Sequence, residues 1–288
     1  MVTVFTPTYN RAQLLKKLYS SLLSQTCHDF EWLIIDDGSI DETESVCAGF
    51  IEAQNLFPIR YYKVENGGKH RAINKGVNLA QGEVFFIVDS DDYLADDAVE
   101  KIISWIKTLD NSRKFAGVAG LRAYQGGSPI GGIGDGQSYV DATNLERRKL
   151  NLLGDKAEAY FTDVLVKYPF PEFEGENFLT EEVVWNKIAA DGYYIRWFSD
   201  PIYYCEYLDG GLTKSGDAKY INNPQGVLYW AKRQVKYFGV FKRERYSAIK
   251  TYCKAVGGKE NAKSIAKDLN VSVFTVILVK VAMRLLKR

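Results

Sequence analysis

The sequence predicts an α/β fold, in which a mostly parallel sheet is flanked by helices and followed by a helical C-terminal region. Two observations support this prediction. Up to Ile106, short apolar runs alternate with segments whose apolar residues recur at helical spacing. Strands that alternate with helices form parallel βαβ units, so helices are expected on the faces of the sheet. From about Asn223 onward the pattern is helical, which predicts the appended region.

Four strands and four helices are predicted, in chain order, before residue 107. The predicted strands are Val2–Thr6, Trp32–Ile35, Ile59–Val64 and Glu83–Val88. The predicted helices span Leu14–Leu23, Asp41–Gln54, Ala72–Ala80 and Asp96–Ile106. Farther along, the predicted elements are a hairpin or lid at Gly126–Gly136, a helix start within Phe178–Ile188 that Thr180 can cap, and an aromatic strand at Ile195–Tyr207.

Composition excludes several classes of protein. Of the 288 residues, 46% are hydrophobic and 14% aromatic, so the chain can bury enough surface to offset its ordering entropy and is not disordered. The four cysteines are scattered without CxxC spacing, which argues against a disulfide framework and a zinc site. Only two histidines are present, which excludes a multi-histidine metal site. These features, with a strand-like start that predicts no signal peptide, indicate a cytoplasmic protein.

Charge divides the chain into two predicted domains. Residues 215–288 carry 16 basic and 4 acidic residues, a net charge of +12, whereas residues 1–214 have a net charge of −11. A uniformly solvated protein has no reason to segregate charge so strongly. We therefore predict an α/β domain over residues 1–214 and a basic helical region over residues 215–288.

Polar clusters follow each of the four predicted strands. They are Thr6–Arg11, Asp36–Ser39, Glu65–Arg71 and Asp89–Asp92. Sheets of this kind bind ligands outside the carboxyl ends of their strands, so these clusters are expected to converge on one edge.

The acidic cluster Asp89-Ser90-Asp91-Asp92 is the strongest chemical signal. Several carboxylates at a strand end repel one another, and a divalent cation such as Mg²⁺ or Mn²⁺ relieves that repulsion. The alternative is a solvated turn that caps the next helix.

Two other clusters have both a functional and a structural interpretation. Asp36-Asp37-Gly38-Ser39 can form a plain turn, or a carboxylate there can accept the imide N–H of uracil. Asn66-Gly67-Gly68-Lys69-His70-Arg71 can be a basic helix start. Its glycines and cations also suit a diphosphate, and cations at a helix N-terminus modestly favour an anionic ligand.

Glu181 and Glu182 are adjacent carboxylates at a predicted helix N-terminus. They can complement the helix dipole, or one of them can act as a general base. Because neighbours on a helix point about 100° apart, at most one can face a site on the sheet edge. Trp185, one turn later, can flank a sugar or pack in the core.

In combination, the four clusters resemble the family 2 glycosyltransferases. The resemblance rests on Pro-Thr-Tyr-Asn-Arg, Asp-Asp-Gly-Ser, Asn-Gly-Gly-Lys-x-x-Ala-x-Asn-x-Gly and Asp-Ser-Asp-Asp in this order, and it covers about residues 1–210. It implies the GT-A fold, with a Rossmann-like sheet, and an inverting, metal-dependent, hexosyltransferase-like enzyme. The expected donor is a nucleotide diphosphate sugar carrying UDP. The expected acceptor is a hydroxyl of a glycan or a lipid-linked molecule, as in cell-surface polysaccharide synthesis. No nucleic-acid partner is expected.

The resemblance also implies roles for individual residues. Thr8, Tyr9 and Asp37 match the family's uridine contacts, and Lys69 matches a residue near the nucleotide or its phosphates. Asp89 and Asp91 match its DxD-type motif for ribose and metal, with Asp91 and Asp92 as the expected ligands of Mn²⁺ or Mg²⁺. The full expected donor-binding set is Pro7, Thr8, Tyr9, Asn10, Arg11, Asp37, Lys69, Asp89, Ser90 and Asp91.

The general base is less directly assigned by the resemblance. The family's base is usually an Asp in a Glu-Asp pair that opens a helix, and here the matching residues are Thr180-Glu181-Glu182. Glu181 is the first choice, because TEEVVWNKIA resembles a subgroup in which a Glu recurs after Thr or Pro. Glu182 is the second.

Two other functions remain open from sequence. One is a nucleotide-sugar-binding protein that has lost catalysis, against which the Glu181–Glu182 pair argues only moderately. The other is a sugar nucleotidyltransferase, which usually opens with a glycine-rich phosphate loop. Val2–Arg11 has no glycine, which counts against the latter.

The last apolar segment, Val271–Leu286, is interrupted only by Lys280 and Arg284 among charged residues and is short for a membrane span. Lys280, Arg284 and Lys287 recur on one helical face, a pattern typical of a helix lying in a membrane interface. We therefore predict peripheral binding to an anionic membrane at the inner face of the cell membrane. The alternative is a helix packed on the domain.

Overall fold

The computed structural model describes residues 1–134, 136–205, 216–240, 242–257 and 260–285. The chain forms two compact units. The first comprises Met1–Phe170 and Val184–Leu208, and the second comprises Pro171–Val183 and Asp209–Arg288. The predicted boundary between residues 214 and 215 falls outside the described residues and stays a prediction.

The first unit is built on one mixed sheet. Its described strands are β1 (Val2–Thr8), β2 (Phe30–Asp36), β3 (Ile59–Lys63), β4 (Val84–Ile87), β5 (Tyr93–Leu94), β6 (Phe115–Tyr124), β7 (Tyr139–Ala142), β8 (Lys156–Phe161) and β9 (Tyr194–Cys205). The strand order is β3-β2-β1-β4-β8-β6-β9-β5, with β7 paired to β9. The first four strands of that order run parallel, whereas β8 is antiparallel to both β4 and β6. The α/β class predicted from the sequence is confirmed.

Helices cover the sheet. They are α1 (Ala12–Leu23), α2 (Thr43–Glu52), α3 (Lys69–Leu79), α4 (Ala98–Ile106), α5 (Thr162–Leu165) and α6 (Glu182–Ala190). Every residue of β1 and β2 is buried, as expected for parallel strands covered on both faces. On α1, Leu15, Leu18 and Leu22 are fully buried and supply the apolar stripe that packs in the core.

Some element boundaries differ from prediction for local reasons. Helix α3 begins at Lys69 rather than at Ala72, because Gly68 has a φ of 94° and serves as its N-cap. Helix α6 begins at Glu182, and the Thr180 contribution is a backbone one, in which its carbonyl accepts the Val183 N–H at 3.2 Å. Near the predicted hairpin at Gly126–Gly136, the Tyr124 N–H donates to the Ser128 carbonyl at 2.9 Å and closes a tight turn. Asp135, Glu206 and Tyr207, which belong to predicted elements, lie outside the described residues.

The second unit is helical in its described part. Its helices are α7 (Ala218–Ile221), α8 (Pro224–Tyr237), α9 (Arg243–Ala255), α10 (Ala262–Leu269) and α11 (Val273–Leu285). Ala231, Ile249, Ile265 and Val276 are fully buried in its own core. None of the helices in the described ranges combines the length and apolar character that crossing a bilayer requires.

Within this second unit, the segment that precedes α6 is hydrogen-bonded to the start of α8. The Glu176 carboxylate accepts the N–H groups of Gln225 at 2.7 Å and Gly226 at 2.8 Å. These N–H groups belong to the first turn of α8, where a negative charge is favoured by the helix dipole. Residues 176–183 are therefore held by the helical unit.

Candidate active site

The polar clusters that follow the parallel strands are linked by hydrogen bonds at one edge of the sheet. The Asn10 N–H donates to Ser39 Oγ at 2.8 Å, and the Asn10 side-chain oxygen accepts the Ile40 N–H at 2.8 Å. The Asp37 N–H donates to the Thr8 carbonyl at 2.8 Å. The loops after β1 and β2 thus form one connected platform, as the strand order predicts.

Asp37 joins this platform to the loop after β3. Its two carboxylate oxygens accept the N–H groups of Gly67 and Gly68, each at 2.8 Å. Gly38 permits the close approach, since a Cβ there would lie 2.9 Å from the Asn66 nitrogen. Burial raises the pKa of Asp37, although the two glycine N–H groups oppose the shift. The carboxylate fixes the position of the glycine loop.

Asp36, which the sequence grouped with Asp37 in a turn, is fully buried. It accepts the Ser39 N–H at 2.7 Å and the Tyr61 hydroxyl at 2.5 Å. Its role in the structure is to hold the turn, as the structural interpretation of this cluster expected.

The acidic cluster after β4 is paired with cations from two of the other loops. Lys69 Nζ lies 2.5 Å from Asp89 Oδ1, and Arg11 Nη1 lies 3.0 Å from Asp91 Oδ2. Both carboxylate side chains are about one quarter exposed. Burial raises the pKa of Asp89, but Lys69 and Arg122 outweigh it and hold the pKa below its usual value. Asp89 and Asp91 are therefore partly accessible, and each is paired with a cation.

Asp92 differs from its neighbours because it is buried and faces the protein. Its Oδ2 accepts the Tyr203 hydroxyl at 2.7 Å and lies 3.9 Å from Arg122 Nη1. The same Tyr203 hydroxyl accepts the Asp89 N–H at 2.9 Å. Burial and the adjacent Asp89 charge raise the pKa of Asp92 to about 6. Asp92 thus links the acidic loop to β9 through the Tyr203 hydroxyl.

Sequence reasoning missed Arg122 and Tyr203. The Arg122 guanidinium lies over the Tyr203 ring at 4.2 Å from its centre and 3.7 Å from Asp89 Oδ2. These residues come from β6 and β9, thirty or more residues from the acidic cluster along the chain. No local pattern marks them, and the only available signal is a charged residue within an otherwise apolar strand.

Tyr203→Phe is expected to lower the free energy of unfolding by about 1–3 kcal/mol, because the Asp92 carboxylate and the Asp89 N–H both lose a buried partner. Tyr204→Phe is the matched control, since it removes a hydroxyl from the next residue of β9 while keeping the ring stacked on Tyr93. Urea denaturation of both variants measures the difference. Equal stability losses would show that the Tyr203 hydroxyl does not anchor the loop.

The remaining residues of the predicted donor site lie on or beside β1 and β4. Thr8 ends β1, and its buried Oγ1 has no hydrogen-bond partner among the described residues. Tyr9, the residue that follows β1, is 47% exposed. Pro7 is paired with Ile35 within the sheet, and Ser90 is buried beside the acidic residues. An unpartnered hydroxyl and an exposed aromatic ring on consecutive residues can both interact with a polar, planar ligand.

A divalent metal fits this donor set only with help from a ligand. No cluster of three or more side chains suited to hold a metal ion occurs in the part of the chain that the structure describes. Asp89 and Asp91 are partly exposed carboxylates, and Mg²⁺ is commonly held by one or two carboxylates together with substrate phosphates and water. The residues fit that mode of binding.

Glu181 and Glu182 lie in the second unit, just before and at the start of α6. Glu182 Oε2 accepts the Trp230 indole N–H at 2.9 Å and the Gln234 amide at 3.0 Å, both from α8. It lines a cavity of about 240 Å³ together with Phe178, Tyr220 and Trp230. Glu181 is partly exposed.

Trp185 is a core residue. It is 7% exposed and stacks on Tyr160 with ring centres 4.3 Å apart and planes inclined by 19°. The core interpretation of this residue, which the sequence left open, therefore agrees with the structure.

Residues 3–118 match the sequence model of glycosyl transferase family 2. The N-terminal segment of the chain therefore carries a family 2 glycosyl transferase domain. The matched segment contains all four motifs on which the resemblance was based, and the family membership predicted from them is confirmed.

Proteins similar to this chain include a teichoic acid biosynthesis protein and glycosyltransferases of known structure. It is 25% identical over 264 residues to the minor teichoic acid biosynthesis protein GgaA of Bacillus subtilis, which covers 88% of this chain and 53% of GgaA. The structure of Staphylococcus aureus TarS residues 1–349 in complex with UDP-GlcNAc superposes with a TM-score of 0.65 at 18% identity, covering 88% of this chain and 71% of that TarS fragment. The mannosyltransferase PcManGT of Pyrobaculum calidifontis, in complex with GDP-Man and Mn²⁺, gives 0.57 at 18% identity and covers 100% and 80%. The predicted GT-A fold is confirmed.

The chain spans about half the length of GgaA, and a smaller share of other curated relatives. Glycosyltransferases that are 32–36% identical to it match over 35–38% of this chain and 14–36% of their own length. The family 2 domain is therefore shared, whereas the rest of those proteins has no counterpart in the match.

Proposed function

We propose that this family 2 chain is an inverting glycosyltransferase that moves a sugar from a UDP-linked donor to a hydroxyl of a glycan or lipid-linked acceptor. The observation that carries the proposal is the pairing of Arg11 with Asp91 and of Lys69 with Asp89 at one edge of the sheet. Two accessible carboxylates for a metal stand beside two cations for a diphosphate.

The nucleoside is proposed to bind at the end of β1. The Thr8 hydroxyl has an unfilled hydrogen-bonding capacity, and the exposed Tyr9 ring offers a face for a planar base. Asn10 fixes this turn against Ser39. Asp37 is proposed to contribute through the glycine loop that it holds, in addition to the uracil contact predicted from the resemblance.

The diphosphate is proposed to lie between the two ion pairs. Arg11 contacts the Asp91 carboxylate and Lys69 contacts the Asp89 carboxylate, and both cations can turn to an entering phosphate. Asp91 is the proposed principal ligand of Mn²⁺ or Mg²⁺, with Asp89 beside it. Asp92 is a weaker candidate than predicted, because its carboxylate already accepts the Tyr203 hydroxyl. When bound, the metal supplies positive charge to the leaving nucleotide diphosphate.

Glu181 is proposed to accept the proton of the acceptor hydroxyl during its attack on the anomeric carbon. Glu182 is less suited to that role, because its carboxylate already accepts the Trp230 indole N–H and the Gln234 amide N–H. A single displacement of this kind inverts the anomeric configuration. The name of GgaA supports an acceptor of the cell-surface polymer class.

A panel of nucleotides tests the donor assignment. UDP or a UDP-sugar at 100 times its dissociation constant, with Mn²⁺ present, is expected to raise the free energy of unfolding by about 2.7 kcal/mol. The measurement is the thermal shift with UDP, UDP-GlcNAc, GDP and GDP-mannose, each with Mn²⁺ and with EDTA. A larger shift with the guanine nucleotides would reject UDP, and the absence of any shift would reject nucleotide-sugar binding.

A further inference from the structure

Helix α11 has two apolar faces, of which only one is covered. Val276 and Val279 are buried in the core of the second unit. A second stripe follows the spacing i, i+3, i+4, i+7, i+11, and so lies along one face. Its members are Phe274, Ile277, Leu278, Val281 and Leu285, which are 46–69% exposed. A helix that only packs against its own unit needs a single apolar face. The exposed stripe of α11 is therefore not explained by packing within the unit.

A groove between α9 and α11 continues this stripe. Its floor includes Leu278, Val279, Ala282 and Met283, and its volume is about 410 Å³. Arg243 and Lys250, both exposed, line the same groove from α9. The groove thus has the charged side chains of Arg243 and Lys250 next to apolar side chains of α11.

The charge around this surface is strongly of one sign. Residues 215–288 carry a net charge of +12, and Arg284 lies exposed beside the stripe. Lys280, by contrast, donates to the Glu260 carbonyl at 2.6 Å. Among the described residues from α9 to α11, the acidic side chains are Glu244 on α9, Glu260 before α10 and Asp268 on α10, and Asp268 accepts the Tyr252 hydroxyl at 2.9 Å.

We propose that the stripe on α11 and the α9–α11 groove form a docking surface for a bilayer that contains anionic lipids. Exposed aliphatic and Phe side chains enter the interface, as in helices that lie on a membrane. Arg243, Lys250 and Arg284 lie at the level of the anionic headgroups, where each cation strengthens binding. Charge favours this occupant over a second copy of the chain, because two copies would bring these like charges together.

The test is co-flotation of the full chain with vesicles, and it requires no sugar donor. The chain is expected to float with phosphatidylcholine vesicles that contain phosphatidylglycerol, and not with phosphatidylcholine alone. Arg243→Gln combined with Lys250→Gln is expected to weaken binding about 30-fold, taking about 1 kcal/mol for each cation. The matched control is Lys263→Gln with Lys267→Gln, which removes the same charge from exposed positions on α10.

A second pair of variants tests the apolar stripe. Ile277→Gln with Val281→Gln is expected to abolish flotation, whereas Ile221→Gln with Val240→Gln, at similarly exposed positions of the same unit, is expected to preserve it. Exposed positions are preferred to truncation at Asn270, since truncation would also remove Val276 and Val279 from the core. Equal losses in test and control variants, or no flotation at low salt, would overturn the proposal. A concentration-dependent dimer that the Ile277→Gln/Val281→Gln variant dissociates would assign the surface to a second copy instead.

Discussion

Glu181→Gln is expected to lower the turnover number by about 10²- to 10⁴-fold, the contribution typical of a positioned general base. Glutamine is nearly isosteric with glutamate but cannot accept the proton of the acceptor hydroxyl. Because the predicted donor contacts involve other residues, the affinity for the UDP-sugar is expected to change little. Steady-state transfer assays give the turnover number, and calorimetry gives the donor affinity.

Glu182→Gln is the control that separates the two candidate bases. One oxygen of its carboxylate, Oε2, accepts N–H groups from both Trp230 and Gln234, and the oxygen of a glutamine can still accept them. We expect a much smaller fall in turnover for this variant. The reverse ranking would move the base to Glu182. If neither substitution changes activity, the base lies elsewhere. If the wild type binds the donor but transfers nothing, the binding-protein alternative holds.

The parallel half of the fold could be predicted because its signals are local. Strands β1, β2 and β4 are buried along their whole length and rich in apolar residues, and each is followed by a polar cluster. Since parallel neighbours end at the same edge, the convergence of Arg11, Lys69 and the acidic loop follows from strand order alone. The start of α3 was predicted three residues late, because the glycines before Lys69 resemble a loop whereas Gly68 serves as a helix cap.

The antiparallel half could not be predicted in the same way. Strand β8 inserts between β4 and β6, and no local pattern encodes that pairing. For the same reason Tyr203, more than one hundred residues from Asp89 and Asp92, could not be assigned to the acidic loop. The sequence therefore predicts Asp92 as a metal ligand, although in the structure its carboxylate already accepts the Tyr203 hydroxyl.

The exposed face of the C-terminal helix α11 could be predicted only in part. The sequence pattern placed cations on one face of α11, but which apolar residues stay exposed depends on how α9 and α10 pack against it. Lys280 is used in a contact with Glu260, and Leu286, Lys287 and Arg288 lie outside the described residues. The predicted membrane association stays a prediction, now assigned to specific exposed side chains.

Asp91→Ala is expected to remove most of the metal-dependent affinity for UDP. Loss of an outer-shell partner typically weakens metal binding about 10- to 100-fold, and loss of a direct ligand should cost at least as much. The substitution also frees Arg11, whose Nη1 lies 3.0 Å from Asp91 Oδ2 in the intact protein. A free guanidinium can bind the diphosphate directly, so the affinity for UDP in EDTA is expected to stay unchanged or to rise.

This opposite response separates metal binding from a general loss of structure. Calorimetry measures the dissociation constant of UDP with Mn²⁺ and with EDTA for the wild type, Asp91→Ala and Asp163→Ala. Asp163→Ala is the control, because it removes an exposed carboxylate that is paired with Lys167 on the surface. If the wild type binds UDP equally with and without the metal, Asp91 is not a metal anchor. A parallel loss under both conditions in Asp91→Ala would instead mean that the Arg11–Asp91 pair shapes the site, and that the cation rather than the metal holds the diphosphate.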